Sequence, residues 1–226
     1  MIGGWIVLML YELSINKIYN CNYKDKIFLV KNESVDMVLT DIPYLISRPT
    51  NFESIKNYSK IDGSSAWDGM EFGDWDASFD IENYIYHCTR ILRPSSSIIV
   101  WASWQQLELI DCLIKYYLGA SKGEPRIGIW KKTNPPVFNM QRMSLQPYEF
   151  FIWNRKGSNC IFNNQNGEGG IVFDGCMGGG TTAVAAIETK RRFIGFEIEK
   201  EYCEIAKESL NKINKTDYKD SIIYFD

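Results

Sequence analysis

The chain has a single histidine, His87, and its six cysteines, Cys21, Cys88, Cys112, Cys160, Cys176 and Cys203, include no C-x-x-C pair. One histidine nearly excludes histidine-based metal sites and serine-histidine triads, and the scattered cysteines offer neither a zinc cluster nor a disulfide framework. They read as buried thiols of a reducing compartment, so a cytoplasmic protein is expected. Long apolar runs are missing too. The stretch Trp5-Ile6-Val7-Leu8-Met9-Leu10-Tyr11 is far too short to span a bilayer and lacks the basic flank and small-residue cleavage site of a secretory signal. A strand, or sequence read through from a mistaken start codon, fits it better, and no membrane partner is expected. Internal repeats and low-complexity tracts are absent.

Nor is charge of either sign in large excess. A net charge of -3 argues against a broad nucleic-acid-binding surface. The distribution is uneven, however. Between Lys115 and Cys160 stand Lys115, Lys122, Arg126, Lys131, Lys132, Arg142, Arg155 and Lys156 against only Glu124 and Glu149. That segment is either a solvated basic face or one that contacts phosphates. With 226 residues, 45% hydrophobic and 23% charged, the chain has the make-up of one soluble globular domain with a real core.

Alternation of strands and helices organises most of it. Lys17 to Val30 reads as a short strand and a short helix leading into the run Val35-Asp36-Met37-Val38-Leu39-Thr40, whose alternation and branched residues predict a strand. This strand ends in Asp41-Ile42-Pro43-Tyr44. A carboxylate beside a stiff turn and a flat ring suits a planar amine, although Asp and Pro also mark ordinary strand exits. Leu45 to Phe79 is polar and acidic, with Trp67 and Trp75 but no sustained period, and is expected to be a flap over the site or a disordered insertion. Asp80 caps a predicted helix with Ile81, Tyr84, Ile85, Cys88, Ile91 and Leu92 on its apolar face, stopped by Pro94. A strand over Ser97-Trp101 and a helix opened by a Ser103/Gln106 capping box and closed by Gly119 follow. Ile127–Lys131 and Tyr148–Asn154 are further predicted strands, separated by a loop holding Asn134-Pro135-Pro136 and Gln141-Arg142-Met143.

A second signal lies in the last third. Ile171-Val172-Phe173-Asp174 is a buried-type strand, Gly175-Cys176-Met177-Gly178-Gly179-Gly180 a glycine loop, and Thr181 to Thr189 an alanine-rich helix. Glycines there let backbone approach a ligand, and the N–H groups of a helix start favour negative charge. Arg192 to Glu197 is the next strand; its terminal acid is spaced from Asp174 as a strand-loop-helix-strand unit spaces a carboxylate beside a ribose. Together these features point to a nucleoside-containing cofactor. A last helix with Tyr202, Ile205, Ala206, Leu210 and Ile213 on one face is expected to cover the sheet.

With both stretches in view, the sequence resembles the β-group DNA amino-methyltransferases, in which a catalytic D-P-P-Y motif precedes a D-P-F-x-G-S-G-T-T cofactor motif. Asp41-Ile42-Pro43-Tyr44 comes first here and Asp174-Gly175-Cys176-Met177-Gly178-Gly179-Gly180-Thr181-Thr182 second. The resemblance runs from about Lys17 to Leu210 and implies a Rossmann-like, doubly wound mixed α/β sheet with circularly permuted motif order. It implies a single methyltransferase domain over 1–226, with a catalytic half at 35–130, a target-recognition region at 131–166 and a cofactor half at 170–226. The implied activity is transfer of a methyl group from S-adenosylmethionine to N6 of adenine or N4 of cytosine in double-stranded DNA, with the target base flipped out. Asp41 and the Ile42 carbonyl would accept the amino hydrogens, Pro43 would stiffen the turn and Tyr44 would stack on the base. Phe173, Asp174, Gly175, Cys176, Gly178, Gly180, Thr181, Thr182 and Glu197 would hold the cofactor. An aspartate rather than a serine opening the motif tilts the reading towards adenine.

The chain departs from the family pattern in three places. Ile42 replaces a proline, tolerable where the backbone carbonyl does the work. Gly175 and Cys176 replace proline and phenylalanine. Where the family carries an H-P-T-x-K-P-like segment and a helix, this chain has only Asn163-Asn164-Gln165-Asn166-Gly167-Glu168-Gly169-Gly170. A second subunit of a homodimer would then supply the missing wall, or the chain is a truncated, non-catalytic DNA-binding remnant. RNA or a glutamine side chain is a weaker substrate alternative. A cognate restriction endonuclease is a further partner compatible with the family.

Overall fold

The computed structural model describes residues 13–44, 79–119, 126–133, 147–157, 169–213 and 224–225. The apolar stretch at 5–11, the acidic segment at 45–78, the loop at 134–146 and the segment at 158–168 lie outside the described residues. The described chain builds one eight-stranded sheet from β1 (Lys17–Asn20), β2 (Val35–Asp41), β3 (Leu92–Ala102), β4 (Arg126–Lys131), β5 (Tyr148–Lys156), β6 (Ile171–Asp174), β7 (Arg192–Glu197) and β8 (Tyr224–Phe225), in the order β4-β5-β3-β2-β6-β7-β1-β8. Every strand pair is parallel except the two made by β5, which runs against both β3 and β4. The helices are α1 (Tyr23–Lys26), α2 (Ile81–Ile91), α3 (Leu107–Leu118), α4 (Thr181–Glu188) and α5 (Lys200–Lys212), with a 3-10 turn at Ile27–Leu29 after α1. This is the mixed, doubly wound sheet expected from the sequence.

Two hydrophobic clusters hold the layers together. On one face, α2 and α3 bury Tyr84, Ile85, Cys88, Ile91, Ile110 and Ile114 against Val38, Ile98, Val100, Ile152 and Phe173. On the other, α4 and α5 bury Ala183, Ala186, Ile187, Cys203, Ala206 and Leu210 against Ile18, Val172 and Phe193. The small residues of α4 let it lie close to the sheet and to α5.

Parallel pairing of β2 with β6, in the register Met37 with Val172 and Val38 with Phe173, sets the position of the site. From β2 the chain winds through α2 and β3 towards one edge; from β6 it winds through α4 and β7 towards the other. Right-handed crossovers in opposite directions place α2 and α4 on opposite faces, so a crevice opens at the carboxyl ends of the two central strands. Asp41 and Asp174 are the last residues of those strands.

Several boundaries differ from expectation. Asp80 caps α2 through a 3.0 Å bond from Asn83 N, but the helix runs directly into β3, which begins at Leu92 and contains Pro94. Pro94 is tolerated because the register against β2 is interrupted there, between Val35 and Met37, so no ladder donor is required of it. Helix α3 begins at Leu107, because Gln106 accepts from both Ser103 N and Ser103 Oγ and holds the preceding residues in a turn. In α5 the buried stripe is Cys203, Ala206 and Leu210, whereas Tyr202 and Ile205 are 46% and 48% exposed. The helix is rotated so that Tyr202 faces the crevice.

Gly180 shows how tightly α4 is seated. It has φ +84°, and an added Cβ would lie 2.7 Å from Ala206 Cβ and 2.9 Å from Ala206 Cα. Gly180→Ala is therefore expected to destabilise the fold by about 1–3 kcal/mol through combined strain and overpacking, measured as a lowered denaturant midpoint with unchanged slope. Stability equal to wild type would contradict this packing.

Candidate active site

The turn after β2 is fixed from behind. Ile42 N donates to Trp101 O at 3.1 Å, and the Ile42 side chain is buried. Gln106, itself buried, donates from Nε2 to Pro43 O at 2.9 Å. The side chain that shapes the start of α3 therefore also clamps the turn carrying Asp41 and Tyr44. Nothing in the sequence pairs Gln106 with Pro43; the capping-box pattern is the one signal that singled it out.

Asp41 opens into the crevice, and its carboxylate accepts a hydrogen bond from Tyr44. Burial lifts its carboxyl from an ordinary 3.8 to about 6; nearby Glu149 adds to the rise, while the Tyr44 bond and Lys132 oppose it. Burial and the adjacent Asp41 push the Tyr44 hydroxyl up as well, so it stays protonated and donates. Tyr44 thus has a role beside the acid that its aromatic character alone did not announce.

Across the crevice, Asp174 is 2% exposed. It accepts from Cys176 N at 3.0 Å and from the hydroxyls of Thr182 and Thr40, yet burial still raises its carboxyl to about 6, with a contribution from Asp41. Glu197, at the end of β7, accepts from Gly178 N at 2.6 Å and from Glu199 N at 2.8 Å, and burial shifts it upward. One carboxylate therefore ties the glycine loop to the entrance of α5. The loop is further held by Met177 N donating to Phe196 O at 2.8 Å. Gly180 caps α4 without a side-chain bond, leaving that helix start with no side-chain acceptor of its own.

These parts enclose one cavity of about 580 Å³, within the range of small-molecule sites. Asp41, Ile42, Pro43 and Tyr44 line it together with Asp174, Gly175, Cys176, Gly178, Thr181, Thr182 and Glu197. Phe173 and Gly180 do not reach it. Phe173 is a core residue beneath the loop, and Gly180 is spent on the contact with α5. Sequence reasoning missed a third wall, made by Asn22, Tyr23 and Lys24 at the start of α1, with Phe79 and Tyr202. Asn22, Tyr23 and Lys24 come to the site because β1 pairs beyond β7, a placement with no local signature. Among the described residues no group of three or more His, Cys, Asp or Glu could hold a metal ion, and no helix is long and apolar enough to cross a membrane.

The basic segment is partly neutralised. Lys115 pairs with Asp111 at 2.8 Å, Lys156 with Glu33 at 3.2 Å, and Lys132 with Glu149. Beside Asp41 in the sheet lie the rings of Trp101, Phe151 and Trp130, the last 54% exposed.

A sheet with acids at two adjacent strand ends and a glycine loop opening a helix defines a methyltransferase-like α/β fold, and comparison with known proteins agrees. The family model described as DNA methylase, N6_N4_Mtase, matches residues 160–208. The type II methyltransferase M2.DpnII of Streptococcus pneumoniae is 23% identical over 83% of this chain and 86% of its own length. The orphan methyltransferase M.BamHII of Bacillus amyloliquefaciens is 60% identical, but over only 19% of this chain and 16% of its own length. Among solved structures, that of the M1.HpyAVI-SAM complex superposes with a TM-score of 0.61 at 22% identity, covering 86% of this chain and 98% of that one. The cytosine-N4-specific PvuII DNA methyltransferase superposes at 0.55 and 14% identity, covering 91% of each. By sequence and by fold the chain is similar to the DNA amino-methyltransferases.

Glu197 supplies a test of the site's construction. In Glu197→Gln one of the two backbone N–H groups meets an amide NH2 in place of an acceptor. The expected cost is about 1–3 kcal/mol of stability, read by thermal unfolding, with faster exchange at the Gly178 amide. An unchanged Gly178 exchange rate would show that the carboxylate does not hold the loop.

Proposed function

We propose that the chain transfers a methyl group from S-adenosylmethionine to N6 of adenine in double-stranded DNA. The observation that carries this reading is the single cavity in which Asp41 and Tyr44 face Asp174, the glycine loop and Glu197. Three carboxylates around it suit a ligand bearing positive charge and hydroxyl groups. The uncapped start of α4 suits a carboxylate. S-adenosylmethionine combines these features, and it supplies an electrophilic methyl on a sulfonium sulfur. Glu197 would accept from the ribose hydroxyls with the lone pairs its backbone bonds leave over, while Asp174, Gly178, Thr181 and Thr182 would form the floor and the anionic end.

The residues of this chain do the rest. An aryl amine is a poor nucleophile because its lone pair is delocalised into the ring. Asp41 and the Ile42 carbonyl would each accept one amino hydrogen, directing the lone pair out of the plane. A carboxyl lifted to about 6 is also a better base for the proton that the nitrogen sheds as its new bond forms. The Tyr44 hydroxyl bond would orient Asp41 while its ring would stack on a base flipped from the duplex, at a cost of about a few kcal/mol. Gln106 and the Trp101 carbonyl keep the turn rigid, so alignment is built in before substrate arrives. The rings of Trp101 on β3, Phe151 on β5 and Trp130 on β4, with Lys131 next to Trp130, would offer stacking and phosphate contacts along the edge that leads away from Asp41. Lys131 to Asn166 would hold the base-specific contacts.

Methylation of cytosine N4 is the second reading, favoured by the PvuII enzyme's superposition; the aspartate at position 41 favours adenine. A second subunit closing the wall before β6, and an endonuclease of matching specificity, are the protein partners consistent with this role.

Transfer of labelled methyl groups to DNA, followed by nucleoside analysis, tests the proposal. N6-methyladenine is expected from wild type, and Asp41→Ala should lose about 100-fold or more of the rate while still binding S-adenosylmethionine. Equal incorporation by both proteins would rule out the mechanism; N4-methylcytosine would move the assignment to the second reading. Because the ionised carboxylate is the acceptor, the wild-type rate should also fall as pH drops through about 6. The residual rate of Asp41→Asn should show no such limb.

A further inference from the structure

We propose that Tyr84 is a positioning residue that sets the spacing between the turn bearing Asp41 and the loop after Asp174, through a one-way chain of hydrogen bonds. The proposal rests on the methyltransferase reading above. Tyr84 lies in α2 and is fully buried. Its oxygen is 3.0 Å from Gly175 N and 2.8 Å from Thr40 Oγ1. Thr40 is 1% exposed, directly precedes Asp41, and its hydroxyl also bonds the Asp174 carboxylate. Gly175 directly follows Asp174.

The direction of the chain follows from which groups can donate. A backbone N–H only donates, an ionised carboxylate only accepts, and each hydroxyl has one proton. So Gly175 N–H donates to Tyr84, Tyr84 donates to Thr40, and Thr40 donates to Asp174. The reverse order would take the Thr40 proton from Asp174 and leave Tyr84 only the weakly accepting sulfurs of Cys88 and Cys176, in an interior where a poorly met bond is costly. The two motifs, far apart in sequence, are therefore clamped by one side chain that touches neither the cavity nor its ligands.

The ring acts together with the hydroxyl. A Cβ on residue 175 would lie 2.5 Å from Tyr84 Cε2, so the ring needs glycine there. Its other neighbours, Tyr23 with centroids at 4.8 Å and Phe79 at 5.1 Å, line the cavity. The departure from the family's proline at this position gains a physical reason. Proline has no N–H to begin the chain and would collide with the ring.

The test uses the full chain as wild type, Tyr84→Phe, Thr40→Val and Thr40→Ser, together with the double variant of the first two changes. Four quantities are read: hydrogen exchange at the Gly175 amide without ligand, the S-adenosylmethionine Kd, the single-turnover methyl-transfer rate on DNA, and the steady-state KM for DNA. Tyr84→Phe should speed Gly175 exchange tenfold or more and leave Phe173 unchanged. It should also raise the Kd about fivefold and slow transfer tenfold or more, with the KM for DNA within twofold of wild type. Thr40→Val should match it, Thr40→Ser should recover most of the loss, and the double variant should be no worse than the poorer single one. Unchanged Gly175 exchange, or a lowered melting temperature with no change in Kd or rate, overturns the proposal. Multiplying losses in the double variant overturn it as well. If wild type neither binds S-adenosylmethionine nor methylates DNA, the methyltransferase reading fails, and the exchange experiment still decides whether Tyr84 holds the loop.

Discussion

The parallel pairing of β2 with β6 is the constraint on which the site depends. Asp41 and Asp174 are 133 residues apart in the chain, and only the register that sets Val38 beside Phe173 brings the carboxyl ends of their strands together. A slip of one residue would turn Thr40 and Asp41 to opposite faces. That would break the hydrogen bonds of Thr40 with Tyr84 and Asp174 and take Asp41 from the crevice. Both hydrophobic clusters oppose such a slip, since Val38 and Phe173 face one layer of helices and Val172 the other.

Electrostatics follow from that placement. Three acids converge at the crevice, two of them buried and Asp41 open to it, and each is held above its usual range chiefly by desolvation. They are kept in distinct ways. Asp174 is surrounded by donors and is nearly inaccessible; Glu197 is committed at both oxygens to the loop and to the entrance of α5; Asp41 opens to the cavity and has Tyr44 as a donor. A closed acid suits construction, while an open, partly desolvated one suits proton chemistry. The same division explains why the turn at Asp41 is braced through its backbone, by Trp101 and Gln106, rather than through the acid itself.

The departures from the family pattern take on different weights in three dimensions. Ile42 is buried and its N–H is used, so its side chain serves packing and leaves the main chain to shape the turn. Gly175 is matched by Tyr84, whose ring and hydroxyl need the space and the N–H that glycine provides. Cys176 leaves a smaller side chain where the family has a ring, and the aromatic group Tyr23, Phe79 and Tyr84 packs in that region. The short connection before β6 is the departure for which the described residues offer no counterpart.

The alternation of strands and helices, the Asp80 cap, the Gly119 stop and the two motif-bearing strand ends were legible in the sequence because each depends on local periodicity, turn chemistry or capping, which neighbouring residues decide. The β-group resemblance was legible too, because motif order is a property of the chain. Strand neighbours were not. Tyr23, Lys24 and Phe79 became cavity walls, Gln106 became a clamp on Pro43, and Tyr202 turned from an expected core position to the crevice, since pairing of β1 beyond β7 and the rotation of α5 are settled by long-range packing. Tyr84 shows the boundary most sharply: the helical spacing of its apolar neighbours marks it as core, but only the fold brings Thr40 and Gly175 within reach of its single hydroxyl.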